Sequence, residues 1–136
     1  MAPIPRDGVV IVLQREQRFL IGKRAAHKPA AGYWTQVSGK REPGESEEQT
    51  VVREAREELG CEVRALRKLQ ELPSANGEFQ LHYWLAEIVE GEPAINDDEL
   101  EELAWLTVQE LAQRQPVFRE DLELLGKLSE GDNGTG

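Results

Sequence analysis

Residues 39–61 read GKREPGESEEQTVVREAREELGC. Ser46 and Gln49 stand in capping-box spacing just after a Pro43-Gly44 loop, so a helix is expected to open at Glu47. Gly60, free to take a left-handed conformation, is placed to stop it after Leu59. Val51, Val52, Ala55 and Leu59 recur at three- and four-residue intervals, giving the helix one apolar stripe able to lie on a sheet. Beside that stripe Glu54, Glu57 and Glu58 fall at i, i+3 and i+4, which gathers three carboxylates on one patch. Two readings of the patch stand at this point. It is either a solvated acidic face laced by Arg53 and Arg56, or, with Glu45 and backbone carbonyls of the Gly39–Gly44 loop, an all-oxygen site for Mg²⁺ or Mn²⁺.

The wider spacing favours the second reading. Gly39, five residues, Glu45, seven residues and then Arg53-Glu54-Ala55-Arg56-Glu57-Glu58-Leu59-Gly60-Cys61 resembles the signature box of the Nudix hydrolases, with every fixed Gly, Glu and Arg position matched. Ala55 and Cys61 stand where that pattern prefers larger aliphatic residues, and Val37-Ser38-Gly39 replaces the Pro-Gly-Gly common in the mutator-type (MutT) branch. The resemblance implies an α/β/α sandwich built on a mixed sheet. It also implies metal-dependent hydrolysis within the diphosphate bridge of a nucleoside diphosphate joined to another group. On this resemblance the metal ligands are the Gly39 carbonyl, Glu54, Glu57 and Glu58, assisted by Glu99 or Glu102. Glu54 and Glu57 are the catalytic carboxylates, with Glu54 the principal acid/base or metal-bridging residue, and Arg53 orients the box. Arg24, in an Arg-Ala-Ala step like that of mutator-type relatives, becomes a candidate for the substrate pocket. A (deoxy)nucleoside triphosphate is the leading substrate, with ADP-ribose or another sugar nucleotide second. A non-catalytic nucleotide sensor on the same fold is a third reading, and its expected mark, loss of a box glutamate, is missing here.

The flanks supply a sheet. Gly8–Leu13 and Phe19–Gly22 are apolar and β-branched around a polar step, as in a hairpin, and Tyr33–Val37 is a short strand leading to the box. Glu62–Leu72 and Phe79–Val89 read as two further strands broken by Pro73–Gly77. In the second of them Phe79, Leu81, Tyr83 and Leu85 should face the core while Gln80, His82, Trp84 and Ala86 form a more polar face. His82 is read as a satisfied partner with no assigned role. Leu103–Leu106 is a last strand, and a second capping box, Thr107 with Glu110, opens a helix that Pro116 interrupts before Phe118–Leu128. Trp34, Tyr83 and Trp84 are candidates to stack on a base, a contact that discriminates weakly between bases. No Asn occurs in Gln113–Phe118, so no strong preference for an oxidised guanine is expected.

A chain of 136 residues suits one domain, expected over residues 1–130 with a frayed tail at 131–136. Hydrophobic content of 39% with 31% charged residues belongs to a soluble globular chain, and Met1–Asp7 lacks an apolar signal segment, so membrane insertion is not expected and the cytosol is the default. The single cysteine, Cys61, falls at an apolar position and reads as core filler. The net charge of −10 argues against nucleic-acid polymers as partners while leaving a small nucleotide-type substrate open, because bound metal can dominate the local field.

Overall fold

The computed structural model describes residues 6–134, with side chains to residue 130. In chain order the elements are β1 (Arg6–Arg15), β2 (Arg18–Arg24), β3 (Trp34–Thr35), β4 (Val37–Lys40), α1 (Glu47–Leu59), β5 (Glu62–Pro73), β6 (Phe79–Glu90), β7 (Leu100–Leu106), α2 (Val108–Ala112) and α3 (Arg119–Gly134). The fold is α/β with a mixed sheet, as expected. The chain divides into two compact units, one holding the chain to Leu13 with Val37–Asn96, the other Gln14–Gln36 with Asp97 onward.

In the first unit β4 pairs antiparallel with β1, β1 runs parallel to β6, and β6 pairs antiparallel with β5. A parallel pair needs a long crossover, and α1 lies on that path. Its apolar stripe is buried at Val51, Ala55 and Leu59, and it packs on β4, β5 and β6. Val9 lies opposite both Gly39 and His82, so the box loop leaves the sheet beside the middle of the unit's central strands. One expectation fails here. His82 and Ala86, assigned to a more polar face of β6, are both buried; α1 packs on β6 and brings Glu47 Oε2 within 3.3 Å of His82 Nδ1.

In the second unit Gln14 and Arg15 turn through Glu16-Gln17 onto Phe19 and Arg18, and β2 pairs antiparallel with β3 and β7. Gln36 divides the expected Tyr33–Val37 strand into β3 and β4. Strand β7 begins at Leu100, three residues earlier than expected, so Glu101 and Glu102 are strand residues. Helices α2 and α3 flank the break predicted at Pro116, and α2 opens on the Thr107–Glu110 capping box. Helix α3 continues to Gly134, so the backbone of 131–134 is helical, while 135–136 of the expected tail lie outside the described residues. Among the described residues no helix is long and apolar enough to cross a membrane.

Candidate active site

Helix α1 has the predicted bounds. The Ser46 hydroxyl accepts from the Gln49 N–H, the Gln49 side chain accepts from the Ser46 N–H, and Gly60 takes φ +66° at the far end. The cap holds the first turn, and from it the helix presents Arg53, Glu54, Glu57 and Glu58.

Arg53 is the hub. Its Nε donates to Glu45 Oε2 at 2.7 Å, and its Nη1 donates to Glu54 Oε1 at 2.9 Å and to Glu57 Oε2 at 3.0 Å. Its Nη2 donates to Glu45 Oε1 at 3.0 Å and to the Lys40 carbonyl at 2.8 Å. Glu42 Oε1 lies 3.0 Å from Nε as well. One guanidinium thus meets four carboxylates, leaving a surplus of negative charge around it. The hydrogen bonds it donates to Glu45, aided by the charges of Glu54 and Glu45, outweigh desolvation and raise the Arg53 pKa, so the cation is permanent. The three box carboxylates differ in exposure: Glu58 is 2% exposed and Glu54 8%, whereas the Glu57 side chain is half-exposed.

Gly39 is required by this packing. A Cβ built on it falls 2.0 Å from Glu54 Cδ and 2.3 Å from Oε2, so the Glu54 carboxylate occupies the space that any other residue at 39 would fill. The Gly39 backbone, Glu54, Glu57 and Arg53 are therefore drawn together.

Glu45 takes a different part from the one expected. Both oxygens are engaged by Arg53, and Oε1 also accepts from the Thr50 hydroxyl at 3.0 Å and the Glu42 N–H at 3.0 Å. It anchors the arginine rather than facing a cation. The Arg53 hydrogen bonds, against some desolvation, lower its pKa from 4.5 to about 2. A carboxylate with a depressed folded pKa contributes stability that is present above 4.5 and lost as pH falls toward 2; a shift of that size corresponds at most to ~3 kcal/mol. Thermal midpoints of wild type and Glu45→Gln should therefore lie apart at pH 6 and converge toward pH 2.5. A gap that stays constant with pH would remove the ionic anchor.

The remaining sequence candidates are placed as follows. Trp84 donates its indole N–H to Glu47 Oε1 at 2.9 Å, and Tyr83, its neighbour on the opposite face of β6, is buried. In the second unit Trp34 is also buried, with the Arg114 guanidinium 5.0 Å from its ring centre. The buried Trp34 and Tyr83 have no open face for stacking on a base. Arg24 Nε donates to the Pro29 carbonyl at 3.2 Å. Glu99 accepts through its carbonyl from the Ala25 N–H and pairs with Lys28 at 3.4 Å, whereas Glu102 projects from β7 opposite Lys23 at 3.6 Å. Burial pushes the Cys61 thiol up, in keeping with core filler. Sequence reasoning missed Asp121 of α3, 2% exposed, which accepts from the Thr35 hydroxyl at 2.8 Å and, with the Gln36 amide turned to donate, from that side chain at 3.1 Å. Burial raises its pKa to about 6. No local pattern marks this aspartate, since its partners lie 85 and more residues away.

The description of the NUDIX domain matches residues 4–127. The chain belongs to the Nudix hydrolase family. It is 31% identical to the CTP pyrophosphohydrolase of Escherichia coli over 119 residues, 86% of each chain. It is 32% identical over 106 residues to a NAD-capped RNA hydrolase NudC of Actinobacillus succinogenes, a match that covers 76% of this chain and spans only 40% of that protein. Among solved structures, a MutT NUDIX hydrolase from Burkholderia pseudomallei superposes with a TM-score of 0.74 at 31% identity, covering 91% of this chain and 98% of that one. The expected Nudix family and α/β class are thereby confirmed.

Proposed function

We propose that this Nudix hydrolase cleaves the diphosphate bridge of a (deoxy)nucleoside triphosphate to the monophosphate and pyrophosphate, with Mg²⁺ or Mn²⁺. The observation that carries the reading is the Arg53 hub, which aims Glu54 and Glu57 from one helix face and seats Glu54 against Gly39. The donor set suits a hard divalent cation: oxygen ligands only, with more negative charge than one guanidinium balances. The Gly39 carbonyl, Glu54, Glu57 and Glu58 would hold it. When bound, such an ion neutralises phosphate oxygens and lowers the pKa of water. Glu54, held beside Gly39, takes the proton of the attacking water as oxygen adds to phosphorus and the bridging P–O bond breaks. Arg53 orients Glu54 and Glu57 by donating from Nη1 to both. The match to a CTP pyrophosphohydrolase over most of both chains supports a nucleoside triphosphate over a dinucleotide, and the net charge of −10 speaks against a polymer.

The test is a product-resolved assay of ribo- and deoxynucleoside triphosphates, 8-oxo-dGTP, ADP-ribose, NAD and dinucleoside polyphosphates, with Mg²⁺, Mn²⁺ or chelator. Pyrophosphate and monophosphate should appear only with metal, and kcat/KM for 8-oxo-dGTP should stay within about a hundredfold of that for dGTP. Orthophosphate release, turnover in chelator, or cleavage of ADP-ribose alone would overturn the reading.

A further inference from the structure

His82 is buried in β6 and has unlike partners at its two ring nitrogens. Nε2 lies 2.9 Å from Asp7 Oδ1, and Nδ1 lies 2.8 Å from Lys68 Nζ. Lys68 is kept as an ammonium: burial opposes its charge, but hydrogen bonds to Glu71 at 2.9 Å and Glu47 at 3.4 Å outweigh this and raise its pKa. Nδ1 also faces Glu71 Oε1 at 3.1 Å; at the other nitrogen a carboxylate can only accept, so the Asp7 contact is a hydrogen bond that Nε2–H donates.

From Asp7 the chain of contacts reaches the box loop. Asp7 Oδ2 accepts from Arg41 Nε and Nη2 at 3.2 and 2.9 Å, and the Arg41 N–H donates to the Asp7 carbonyl at 3.0 Å. The remaining Arg41 nitrogen, Nη1, donates to the Glu45 carbonyl at 2.8 Å. Glu45 is the residue whose side chain seats Arg53. On its other side the ring lies 3.3 Å from Glu47, the first residue of α1, which also accepts from Trp84. The imidazole is therefore tied to both ends of residues 41–47, the segment that fixes where Arg53 finds its partner. The depressed pKa of Asp7, caused first by His82 and then by Arg41, keeps the connecting carboxylate charged.

We infer that His82 is a positioning residue of the hydrolase: through Asp7 and Arg41 it sets the loop carrying Glu45, and so the guanidinium that aims Glu54 and Glu57. Its catalytic consequence rests on the proposed function, while its structural consequence does not. The competing account is that the network only fastens β6 to β1 and β5.

The experiment compares wild type with His82→Phe, His82→Gln, Asp7→Asn and the His82→Phe/Asp7→Asn pair, in the full chain. It reads kcat and KM for the best nucleotide, the thermal midpoint, and the Nε–H resonances of Arg41 and Arg53 in metal-free protein. His82→Phe and Asp7→Asn should each lower kcat about tenfold with KM changed by less than about twofold. The double variant should be no worse than the weaker single one, because the two act in series. His82→Gln, which keeps a donor, should recover most of the loss, and the Arg53 resonance should move in His82→Phe and Asp7→Asn. A lowered thermal midpoint with kcat and the Arg53 resonance unchanged would overturn the inference in favour of fastening alone. If His82→Phe does not fold, Asp7→Asn carries the same comparison. If wild type cleaves none of the nucleotides, the proposed function fails and the Arg53 resonance alone decides for or against the positioning role.

Discussion

Glu57→Gln and Glu58→Gln should each lose on the order of a hundredfold or more in kcat at saturating Mg²⁺ while keeping the fold. A glutamine has nearly the shape of glutamate but brings a neutral oxygen where the proposed cation site needs a charged one. The fold is expected to survive for a different reason at each position. The Glu57 side chain is 54% exposed and pairs with Arg53 at i,i+4, a pair whose loss costs less than about 1 kcal/mol. Glu58 is 2% exposed, and a buried carboxylate bears a desolvation cost that the amide avoids, so the metal-free Glu58→Gln protein should melt no lower than wild type. Glu54→Gln is the less favourable swap without metal, because its Oε1 accepts a charge-assisted bond from Arg53. Steady-state rates over a metal titration, with melts in chelator, check all three. Turnover of Glu57→Gln or Glu58→Gln within about threefold of wild type would remove the proposed ligands. A sharp fall in the Glu58→Gln midpoint would instead make that carboxylate structural.

What could be read in advance was what depends on neighbours along the chain. The bounds of α1 followed from a capping box and a terminal glycine, both of which act within one turn, and the same held for the start of α2. That Glu57 comes within reach of Arg53 follows from their i,i+4 spacing, whereas the contact between adjacent Arg53 and Glu54 is seen only in the fold. The part played by Glu45 could not be read this way. A carboxylate ahead of the helix suits a cation or an arginine equally, and only the fold shows Arg53 reaching back eight residues to take both its oxygens. Strand alternation likewise carries no record of what covers each face, so it puts His82 and Ala86 on a more polar face, yet both are buried in a strand on which α1 packs. A Trp or Tyr in a strand also looks alike from sequence whether it lines a cleft or fills a core, and only the fold shows Trp34 and Tyr83 buried.

Gly39→Ala should lower kcat by about a hundredfold with little change in thermal midpoint, separating a steric need of the site from one of the fold. The backbone at Gly39 is not in the left-handed region, so alanine adds no conformational strain there. What its methyl meets first is one flexible side chain rather than backbone: Glu54 Cδ at 2.0 Å, Oε2 at 2.3 Å and Cγ at 2.4 Å. Glu54 can swing away, so the helix and sheet stay as they are. In moving, it leaves the Gly39 backbone and loosens the 2.9 Å bond from Arg53, the two contacts that place the proposed base. Gly44→Ala is the opposite case and the control. Gly44 has φ +85° with nothing within 4 Å of a built Cβ, so the methyl costs about 1 kcal/mol of backbone strain and touches no site residue. The two alanines should thus show crossed effects, activity lost at 39 and stability lost at 44. The metal-free Glu54 side-chain carboxyl resonance should move only in the first. If Gly39→Ala turns over within about threefold of wild type while that resonance does move, the position of Glu54 beside Gly39 is unnecessary for hydrolysis and another carboxylate takes the proton.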